Sequence, residues 1–595
     1  MLFFINRFNS MKERIVIIFL VFVSQAATGQ LFFNGNFKYF RPNLKPLRWY
    51  GLDDDHEFLV DTSVVFRGQN TMRVRYLGNM PEYNGIAIFQ QLNISKWPDH
   101  RAIRASCYLS FLQGDTSNFT WFVNNNPCLA EYHNKYARVH IDTVERGPRT
   151  WIKFTLERDI DTVCNEIFIG FVAAHSFDFN ITGWEMSIDG KSVADVPVYP
   201  NPLPDWKDKA FLQASVLRLR DINTFTDAEP AGTLKKMIGR SRVVALGEGT
   251  HGSREFNLLR KSIIEYLVDS CGFNTIVFEE NPIPMAEASK ALRDGALPVL
   301  NIVDSFFINV HSNMETVELL RSLSTRMSKG QNLQLLGSDM QDVYWAIFYL
   351  QDHPMKDPVS DAAVSEIKRY TFSDKPDWHR ALEASGRLKA KNEMEDMCLM
   401  VLRECLYYQA NLIRGRSFYQ MPYEDRVFAF NYRDSCMALN TLHLLRNDPD
   451  RKVIIWNHNS HIRKLPDSIN PDLSARYMGE YLADSIGEDY KAFALTTAGG
   501  TMRGAPLWQK HIDTLDSPAA DCYEYYFQQM GYASFFWPLV SGHPAITENL
   551  RFRSIGMGRQ KSFDSFLPQR LYGNYDGIYF IAQTTWSHPL PGMRN

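Results

Sequence analysis

Residues 243–256 read VVALGEGTHGSREF, an apolar run that breaks into a glycine-rich turn and then into a charged stretch typical of a helix. Four apolar residues before such a turn predict a buried strand. The three glycines fit the G-x-G-x-x-G pattern that binds dinucleotides between a strand and a helix. The same turn carries Glu248 and His251. It therefore predicts either a pyrophosphate site or a turn that presents a carboxylate and an imidazole.

Three other apolar runs have the same form: 275–278 is followed by Glu279 and Glu280, and 333–339 and 452–458 end in polar residues. Apolar residues in the segment after the first strand are spaced as in a helix. Strands that alternate with helices imply a largely parallel sheet with helices on both faces. We therefore predict an α/β domain over residues 207–595, in which residues 359–445 are helical throughout.

The chain before this domain has a different pattern. Apolar and polar residues alternate from about residue 31 to 195, as in AIRASCYLSF at 102–111. Such short strands, separated by Asn, Asp and Gly turns, predict an all-β, jelly-roll-like sandwich over residues 30–195. Its ends, FNGNF and WEMSIDG, resemble those of carbohydrate-binding-like modules. An exposed Trp or Tyr there could stack on a glycan, although such rings more often belong to the core.

Two further segments predict export and a boundary between domains. Residues 1–29 resemble a secretory signal peptide, with basic residues, nine apolar residues at 15–23 and small residues before Gln30. A membrane span needs about 18 apolar residues, so we expect no span and a periplasmic or secreted protein. Residues 196–206, VPVYPNPLPDW, contain four prolines and predict a semi-rigid linker.

Charge and cysteine content exclude some classes of protein. The net charge is −3 and no long run of Lys or Arg occurs, so nucleic acid is not an expected partner. The eight cysteines form no C-x-x-C pair, which leaves zinc-ribbon and redox sites without support. We expect most of them to be buried, inert thiols.

Acidic and imidazole side chains follow all four predicted strands. The carboxyl ends of parallel strands meet at one edge of a sheet, where ligand sites form. These side chains therefore predict one site. They are Glu248, His251, Glu279, Glu280, Asp339, His458 and His461.

Dinucleotide binding is the minor interpretation of this edge. Glu279 or Glu280 ends the next strand, where an acid that binds ribose could lie. However, Glu248 would place a negative charge in the loop that holds the pyrophosphate. Export would also remove the protein from the nicotinamide pools of the cell. We therefore expect no cofactor.

Three motifs are similar to those of the erythromycin esterase family. LGEGTHGSREFNLLR at 246–260 resembles its G-E-x-T-H-G signature, and IIWNHNSHI at 454–462 resembles its W-x-H-N-x-H element. LGSDMQ at 336–341 resembles its G-x-D-x-Q step. The resemblance covers roughly residues 210–590. It implies an α/β hydrolytic domain that opens lactone esters with water and forms no covalent intermediate.

The resemblance also assigns residues to roles. The family's essential histidine corresponds to His251, with Glu248 beside it. Its arginine, its strand-end carboxylate and its histidine pair correspond to Arg260, Glu279, His458 and His461. Macrolide esterases often have small alanines where this chain has Asn457 and Ser460. This departure leaves the identity of the small-molecule ester or lactone open.

The chemistry of these residue types fits ester hydrolysis. Histidine titrates near neutral pH and can deprotonate water, and the glycines let the backbone turn His251 into the cleft. Glu248 or Glu279 could hold the ring tautomer and stabilise the imidazolium. Arg260 or a histidine of the pair could stabilise the tetrahedral oxyanion.

Two of these residues also have a structural interpretation. Arg260 could simply pair with Glu255 or Glu279 rather than act on the substrate. His461 could be a hydrogen-bonded histidine of the core.

Metal-dependent hydrolysis is an alternative that uses the same side chains. Glu248 and His251 are three residues apart, as are His458 and His461, and with Glu279 they could bind a metal ion that activates water. The glycines around the first pair argue against it, because they predict a loop rather than a preset helical face. A further alternative is a secreted glycan-binding protein with an inactive C-terminal domain, but every residue of catalytic type is retained.

Overall fold

The structure is a computed structural model of the chain. It describes residues 35, 37, 49–51, 57–76, 86–93, 101–116, 119–124, 138–145, 149–160, 166–173, 177–193, 208–307, 309–414, 423–465, 475–504, 512–518, 522–539, 550–556 and 566–591. The predicted signal peptide, Gln30 and the linker at 196–206 lie outside the described residues, as do Cys128 and Cys164.

The described part of the chain before residue 194 consists of strands in two antiparallel sheets. One sheet has the order β1-β4-β9-β6, and the other has the order β2-β3-β10-β5-β8-β7 with β11 beside β10. Their bounds are β1 Trp49–Gly51, β2 Glu57–Phe66, β3 Gln69–Tyr76, β4 Ile86–Asn93, β5 Arg101–Gln113, β6 Phe119–Asn124, β7 Arg138–Glu145, β8 Trp151–Ile160, β9 Glu166–Ala173, β10 Phe177–Ile188 and β11 Lys191–Val193.

Aromatic side chains from both sheets pack into one core. The ring of Trp121, on β6, lies 4.8 Å from that of Phe154 on β8 and 5.6 Å from that of Trp184 on β10. Trp49 also packs on Trp184, and all three tryptophans are buried. These tryptophans are therefore core residues, and their rings are not exposed for a sugar to stack on.

The chain after residue 207 mixes helices and strands, which confirms the mixed composition predicted for it. Its helices are α1 Asp208–Ser215, α2 Ala228–Ile238, α3 Arg254–Cys271, α4 Pro282–Asp294, α5 Val299–Phe306, α6 Met314–Ser328, α7 Tyr344–Asp352, α8 Pro358–Thr371, α9 Trp378–Ser385, α10 Glu393–Tyr407, α11 Tyr423–Asn447, α12 Asn459–Ile462, α13 Met478–Ile486 and α14 Tyr523–Gln529. Its strands are β12 Leu217–Arg218, β13 Val243–Leu246, β14 Thr275–Phe278, β15 Gln334–Gly337, β16 Val453–Trp456, β17 Tyr490–Thr497, β18 Thr501–Arg503, β19 Ile512–Thr514, β20 Ser534–Pro538, β21 Arg551–Arg553, β22 Phe566–Pro568 and β23 Gly577–Ile581.

The main sheet of this part has the order β12-β20-β23-β17-β13-β16-β14-β15. The strands from β23 to β15 pair in parallel, whereas β20 and β12 pair antiparallel at one edge. Among the described residues, helices α8 to α11 occupy most of the region between 359 and 445.

Close packing accounts for the glycine pattern at the end of β13. Gly252 has a φ of +85°, and a Cβ atom there would overlap the backbone of Arg503. A Cβ atom on Gly247 would overlap the side-chain amide of Asn459. Both positions therefore require glycine for reasons internal to the fold. The G-x-G-x-x-G spacing follows without a bound pyrophosphate.

The thiols and the helices bear on two further expectations. Five of the six described cysteines are buried and none of the six forms a disulfide, as predicted for inert thiols; the sixth, Cys271, is half-buried. Within the described ranges, no helix combines the length and the apolar character needed to cross a membrane.

Candidate active site

The register of four neighbouring strands brings the predicted polar residues together. Leu246 pairs with Trp456, Trp456 with Phe278, and Phe278 with Gly337. The four strands β13, β16, β14 and β15 therefore end level with one another at one edge of the sheet. The polar residues that follow these strand ends form one continuous set of contacts.

Glu248 joins His251 to Arg260. Its Oε1 atom lies 2.6 Å from Nδ1 of His251, and its Oε2 atom accepts a hydrogen bond from Nη2 of Arg260. The Glu248 side chain is 3 % exposed and that of His251 is 9 % exposed. Glu248, rather than Glu279, is thus the carboxylate that holds the His251 ring. This contact occupies Nδ1 of His251, and Nε2 is the ring nitrogen that Glu248 does not contact.

Arg260 lies beneath the site and, within the described residues, forms an ion pair with no carboxylate other than Glu248. It is fully buried, its guanidinium carbon is 3.9 Å from the ring centroid of Trp456, and Nη2 also donates to Asn257 at 2.8 Å. The expected structural partners, Glu255 and Glu279, were wrong, because Glu255 instead accepts hydrogen bonds from Thr585. The reason is geometric: Arg260 lies two turns into α3 and reaches back to the turn before that helix.

Charge compensation sets the pKa values of this ion pair. Burial alone would raise the pKa of Glu248, but the charge of Arg260 and the hydrogen-bonded ring of His251 outweigh it and lower the pKa to about 2. Burial lowers the pKa of Arg260 to about 10, and Glu248 opposes that effect. At neutral pH both groups are charged.

The His458 ring carries its hydrogen on the opposite nitrogen from the His251 ring. The two ring centroids are 5.0 Å apart. Nδ1 of His458 accepts the backbone N–H of Ser460 at 3.2 Å, so the hydrogen of the neutral ring lies on Nε2. Burial, and then the neighbouring His251, lower the pKa of His458 to about 3. His458 therefore stays neutral and offers an N–H donor.

Glu279 connects His458 and His461 to Arg433, whose side chain is 13 % exposed. Its Oε2 atom accepts the backbone N–H of His458 at 3.1 Å, and its Oε1 atom lies 3.4 Å from Nε2 of His461. Nη2 of Arg433 lies 3.2 Å from the same Oε1 atom. Burial would raise the pKa of Glu279, but the charge and hydrogen bond of His461, together with Arg433, hold it well below its ordinary value.

His461 is a fixed cation rather than a base. Its Nδ1 atom lies 2.6 Å from Asp434, and its other nitrogen faces Glu279. Burial alone would lower the pKa of His461, but the charges of Asp434 and Glu279 raise it to about 10. Both nitrogens hold a proton at neutral pH, so this ring cannot accept one from water.

Helix α11 contributes two residues that sequence reasoning missed. Arg433 binds Asp339 through two nitrogens, at 3.1 and 2.8 Å, and also contacts Glu279. Asp434, the next residue, holds His461. The only signal in the sequence is a pair of opposite charges in the middle of an otherwise half-apolar helix. Such a pair is more often a solvated face, so it did not stand out.

Asn459 connects the loops that follow β13 and β16 with each other and with strand β17. Its backbone N–H donates to the carbonyl of Glu248 at 2.9 Å, and its side-chain amide exchanges two hydrogen bonds with the backbone of Leu495 on β17. This asparagine therefore fixes the β16 loop against the β13 loop. The spacing between His251 and His458 depends on that attachment.

The arrangement has the groups needed to activate water and to stabilise an anion. Nδ1 of His251 is bound to the Glu248 carboxylate, so its Nε2 atom is the one that can act on water. His458 supplies a neutral N–H donor beside it. In the part of the chain that the structure describes, no group of three or more His, Cys, Asp or Glu side chains is arranged to hold a metal ion. Glu248, Glu279 and the histidines would have to break their mutual contacts to do so.

Comparison with known proteins bears on the same part of the chain. A family model described as Erythromycin esterase matches residues 268–584, a range that contains Glu279, His458 and His461 but begins after His251. Erythromycin esterase type I of Escherichia coli is 26% identical over 312 residues, covering 45% of this chain and 73% of that protein. Erythromycin esterase type II of Escherichia coli is 23% identical over 405 residues, covering 61% and 94%.

A solved structure shows a similar fold. The crystal structure of a Bacillus cereus protein aligns with a TM-score of 0.54 at 18% sequence identity, covering 65% of this chain and 99% of that one. At this identity the likeness concerns the fold alone.

Proposed function

The chain belongs to the erythromycin esterase family, and on that basis we propose that it hydrolyses a carboxylic ester or lactone with a water molecule activated by His251. The observation that carries this proposal is the pair of histidines 5.0 Å apart with opposite hydrogen-bonding polarity. One ring is held at Nδ1 by a carboxylate, and the other is held at Nδ1 by a backbone N–H.

His251 is the proposed general base. Because Glu248 accepts the hydrogen on Nδ1, the Nε2 lone pair is the one available to a water molecule. As water attacks the ester carbonyl, its proton moves to Nε2, and Glu248 stabilises the imidazolium that forms. The imidazolium then returns the proton to the departing alkoxide as the ester C–O bond breaks. The products are a carboxylic acid and an alcohol, or a hydroxy acid from a lactone.

His458 is the proposed donor to the oxyanion. A tetrahedral intermediate places a negative charge on the former carbonyl oxygen, and a fixed N–H near that oxygen stabilises it. Nε2 of His458 is buried and, among the described residues, forms no hydrogen bond. Its low pKa keeps the ring neutral, so it donates this hydrogen without adding a positive charge that would oppose protonation of His251.

The charges around the two histidines favour this proton transfer. Within the described residues, the ion pairs of Arg260, Arg433 and His461 join these three cations to four carboxylates, of Glu248, Glu279, Asp339 and Asp434. In this network the carboxylates outnumber the cations before the reaction, and a proton on His251 reduces the excess of negative charge. Charge fixed in advance of the reaction is the main way in which proteins stabilise a transition state.

The first test is hydrolysis of p-nitrophenyl butyrate by the purified protein, with and without EDTA. We expect hydrolysis at an unchanged rate in EDTA, because the proposed proton transfers need no metal ion. Loss of activity in EDTA and its return with Zn²⁺ would support the metal-dependent alternative instead. Macrolides and other lactones are the first candidates for the natural substrate, since two relatives are named erythromycin esterases. Mass spectrometry would detect the gain of one water.

We also propose that the protein is exported and that the strands before residue 194 form a β-sandwich accessory module. The basic and apolar pattern of residues 1–29 supports export, and the shared aromatic core of the two antiparallel sheets supports the module. N-terminal sequencing of the protein from its host is expected to begin near Gln30. A chain that keeps Met1 or Met11 would contradict export. Export would place the protein where an antibiotic could be inactivated before it enters the cell.

A further inference from the structure

A second carboxylate–histidine pair lies beside the catalytic one and takes no part in the proposed reaction. Glu280 follows Glu279 at the end of β14, and its Oε1 atom lies 2.9 Å from Nδ1 of His311. His311 ends the short helical turn Asn309–His311 and is only 2 % exposed. The pair is therefore available only to its buried neighbours.

Its neighbours connect His311 with the ion pair of Glu248 and Arg260. The His311 ring packs edge-on against Trp456, with 5.8 Å between the ring centroids. The guanidinium of Arg260 lies over the same indole. Against the effect of burial, Arg260 lowers the pKa of Glu248 most, and His251 and His311 lower it further. His311 is thus close enough to influence the carboxylate that orients the base.

The polar atoms in this region complement one another. Within the described residues, Nε2 of His311, Nε and Nη1 of Arg260 and Nε1 of Trp456 are buried and form no hydrogen bond. Because Nδ1 of His311 donates to Glu280, Nε2 of the neutral ring is an acceptor, whereas the other three atoms are donors. Buried polar groups are costly without partners, and a polar site with donors and an acceptor suits one water molecule.

We propose that His311 is a positioning residue for the reaction, and that its Nε2 atom holds Arg260 through one buried water molecule. The proposal rests on the function proposed above for Glu248 and His251. Arg260 uses the single atom Nη2 for both Glu248 and Asn257. The water would bind a guanidinium nitrogen, Nε or Nη1, that contacts neither Glu248 nor Asn257, so that Arg260 stays against the Glu248 carboxylate while that carboxylate also holds His251.

Two substitutions of His311 test its two ring nitrogens, Nδ1 and Nε2, separately. His311→Asn keeps an amide near the position of Nδ1, and with it the contact to Glu280, but has no acceptor near Nε2. His311→Gln places its amide oxygen near Nε2. We expect His311→Asn to lower kcat for p-nitrophenyl butyrate by about 10- to 100-fold with little change in KM, because a small displacement of a supporting group costs this much. His311→Gln is expected to keep most of the activity.

The pH dependence of kcat/KM distinguishes positioning from support of the fold. The charge of Arg260 opposes the proton that His251 takes up, and a displaced Arg260 opposes it less. The acid limb of the His311→Asn profile is therefore expected to move to higher pH, by about half a unit, while that of His311→Gln stays with the wild type. Equal losses in both variants, or an unmoved acid limb in His311→Asn, would overturn the proposal.

A crystal structure of the full chain tests the proposal without reference to activity. At a resolution that reveals ordered water, we expect one water within hydrogen-bond distance of both His311 and Arg260. A dry site would overturn the proposed contact. If the water is present but the wild type hydrolyses no ester, the hydrogen-bonded contact stands and the proposed function is what fails. The two failures are therefore distinguishable.

Discussion

Replacing His251 by Asn is expected to lower kcat for ester hydrolysis by about two to four orders of magnitude, which is the contribution of a general base. The amide of asparagine can keep the hydrogen bond to Glu248 but cannot accept a proton at neutral pH. The buried ion pair of Glu248 and Arg260 remains in place. We therefore expect the circular dichroism spectrum and the thermal midpoint to stay close to those of the wild type.

The pH profile gives this experiment a second measure. For the wild type, the rate is expected to rise with pH across the range in which a histidine loses its proton, because only the neutral ring accepts a proton from water. The residual rate of His251→Asn should lack this rise. His353→Asn is a matched control, since His353 is exposed and its described contacts, a hydrogen bond to the Tyr349 carbonyl and stacking on the Tyr349 ring, are with its own helix. Equal activity in the two variants would remove His251 from the role of base.

Replacing Arg433 by Met is expected to destabilise the protein by about 3–5 kcal/mol, which is the usual effect of removing one partner from a buried ion pair. Glu279 and Asp339 would each lose a charged hydrogen-bond donor inside the protein. Urea unfolding, followed by tryptophan fluorescence, measures the change. Arg387→Met is the control, because Arg387 pairs with Glu366 at the surface. No measurable change is expected there.

The ionisation of Glu279 sets how this loss of stability in Arg433→Met depends on pH. Its pKa is well below the value of about 4.5 that it has when unfolded, so its ionised form stabilises the fold above that pH, and this stability is lost as the pH falls. Without Arg433 this contribution shrinks. The difference between wild type and Arg433→Met should therefore be largest near neutral pH and smaller in acid. A difference that grows in acid, or one no larger than that of Arg387→Met, would contradict the buried network.

Much of the candidate site was predictable because parallel strands end at a common edge. Short apolar runs followed by polar residues located the ends of β13, β14, β15 and β16, and level registers then bring their side chains together. The sequence motif likewise pointed to His251 and His458. Their distinct roles were not predictable, because the tautomer of each ring depends on the atom that meets Nδ1.

The remaining part of the site depends on contacts between residues distant in sequence. Arg433 reaches Asp339 across 94 positions, and His311 reaches Glu280 across 31. The sequence of α11 does not indicate which face packs against the sheet. Many of its described residues are half-buried, so it lacks a clear division into an apolar and a polar face. The partner of Arg260 was missed for a similar reason. Its long side chain spans the distance back to the preceding turn, whereas spacing along the helix suggested Glu255.

Ion pairs of Arg433 and Asp434 hold helix α11 against the residues that follow the strand ends. These contacts limit which positions of the helix can change as the protein acquires new substrates. Its inner face cannot be redesigned one residue at a time, because each change at Arg433 or Asp434 leaves a buried opposite charge behind. Its outer face, where Phe428 and Leu439 are exposed, carries no such constraint. Selection for new substrates would therefore act on the outward residues of the helical region, while the inward residues keep their ion pairs with the candidate site.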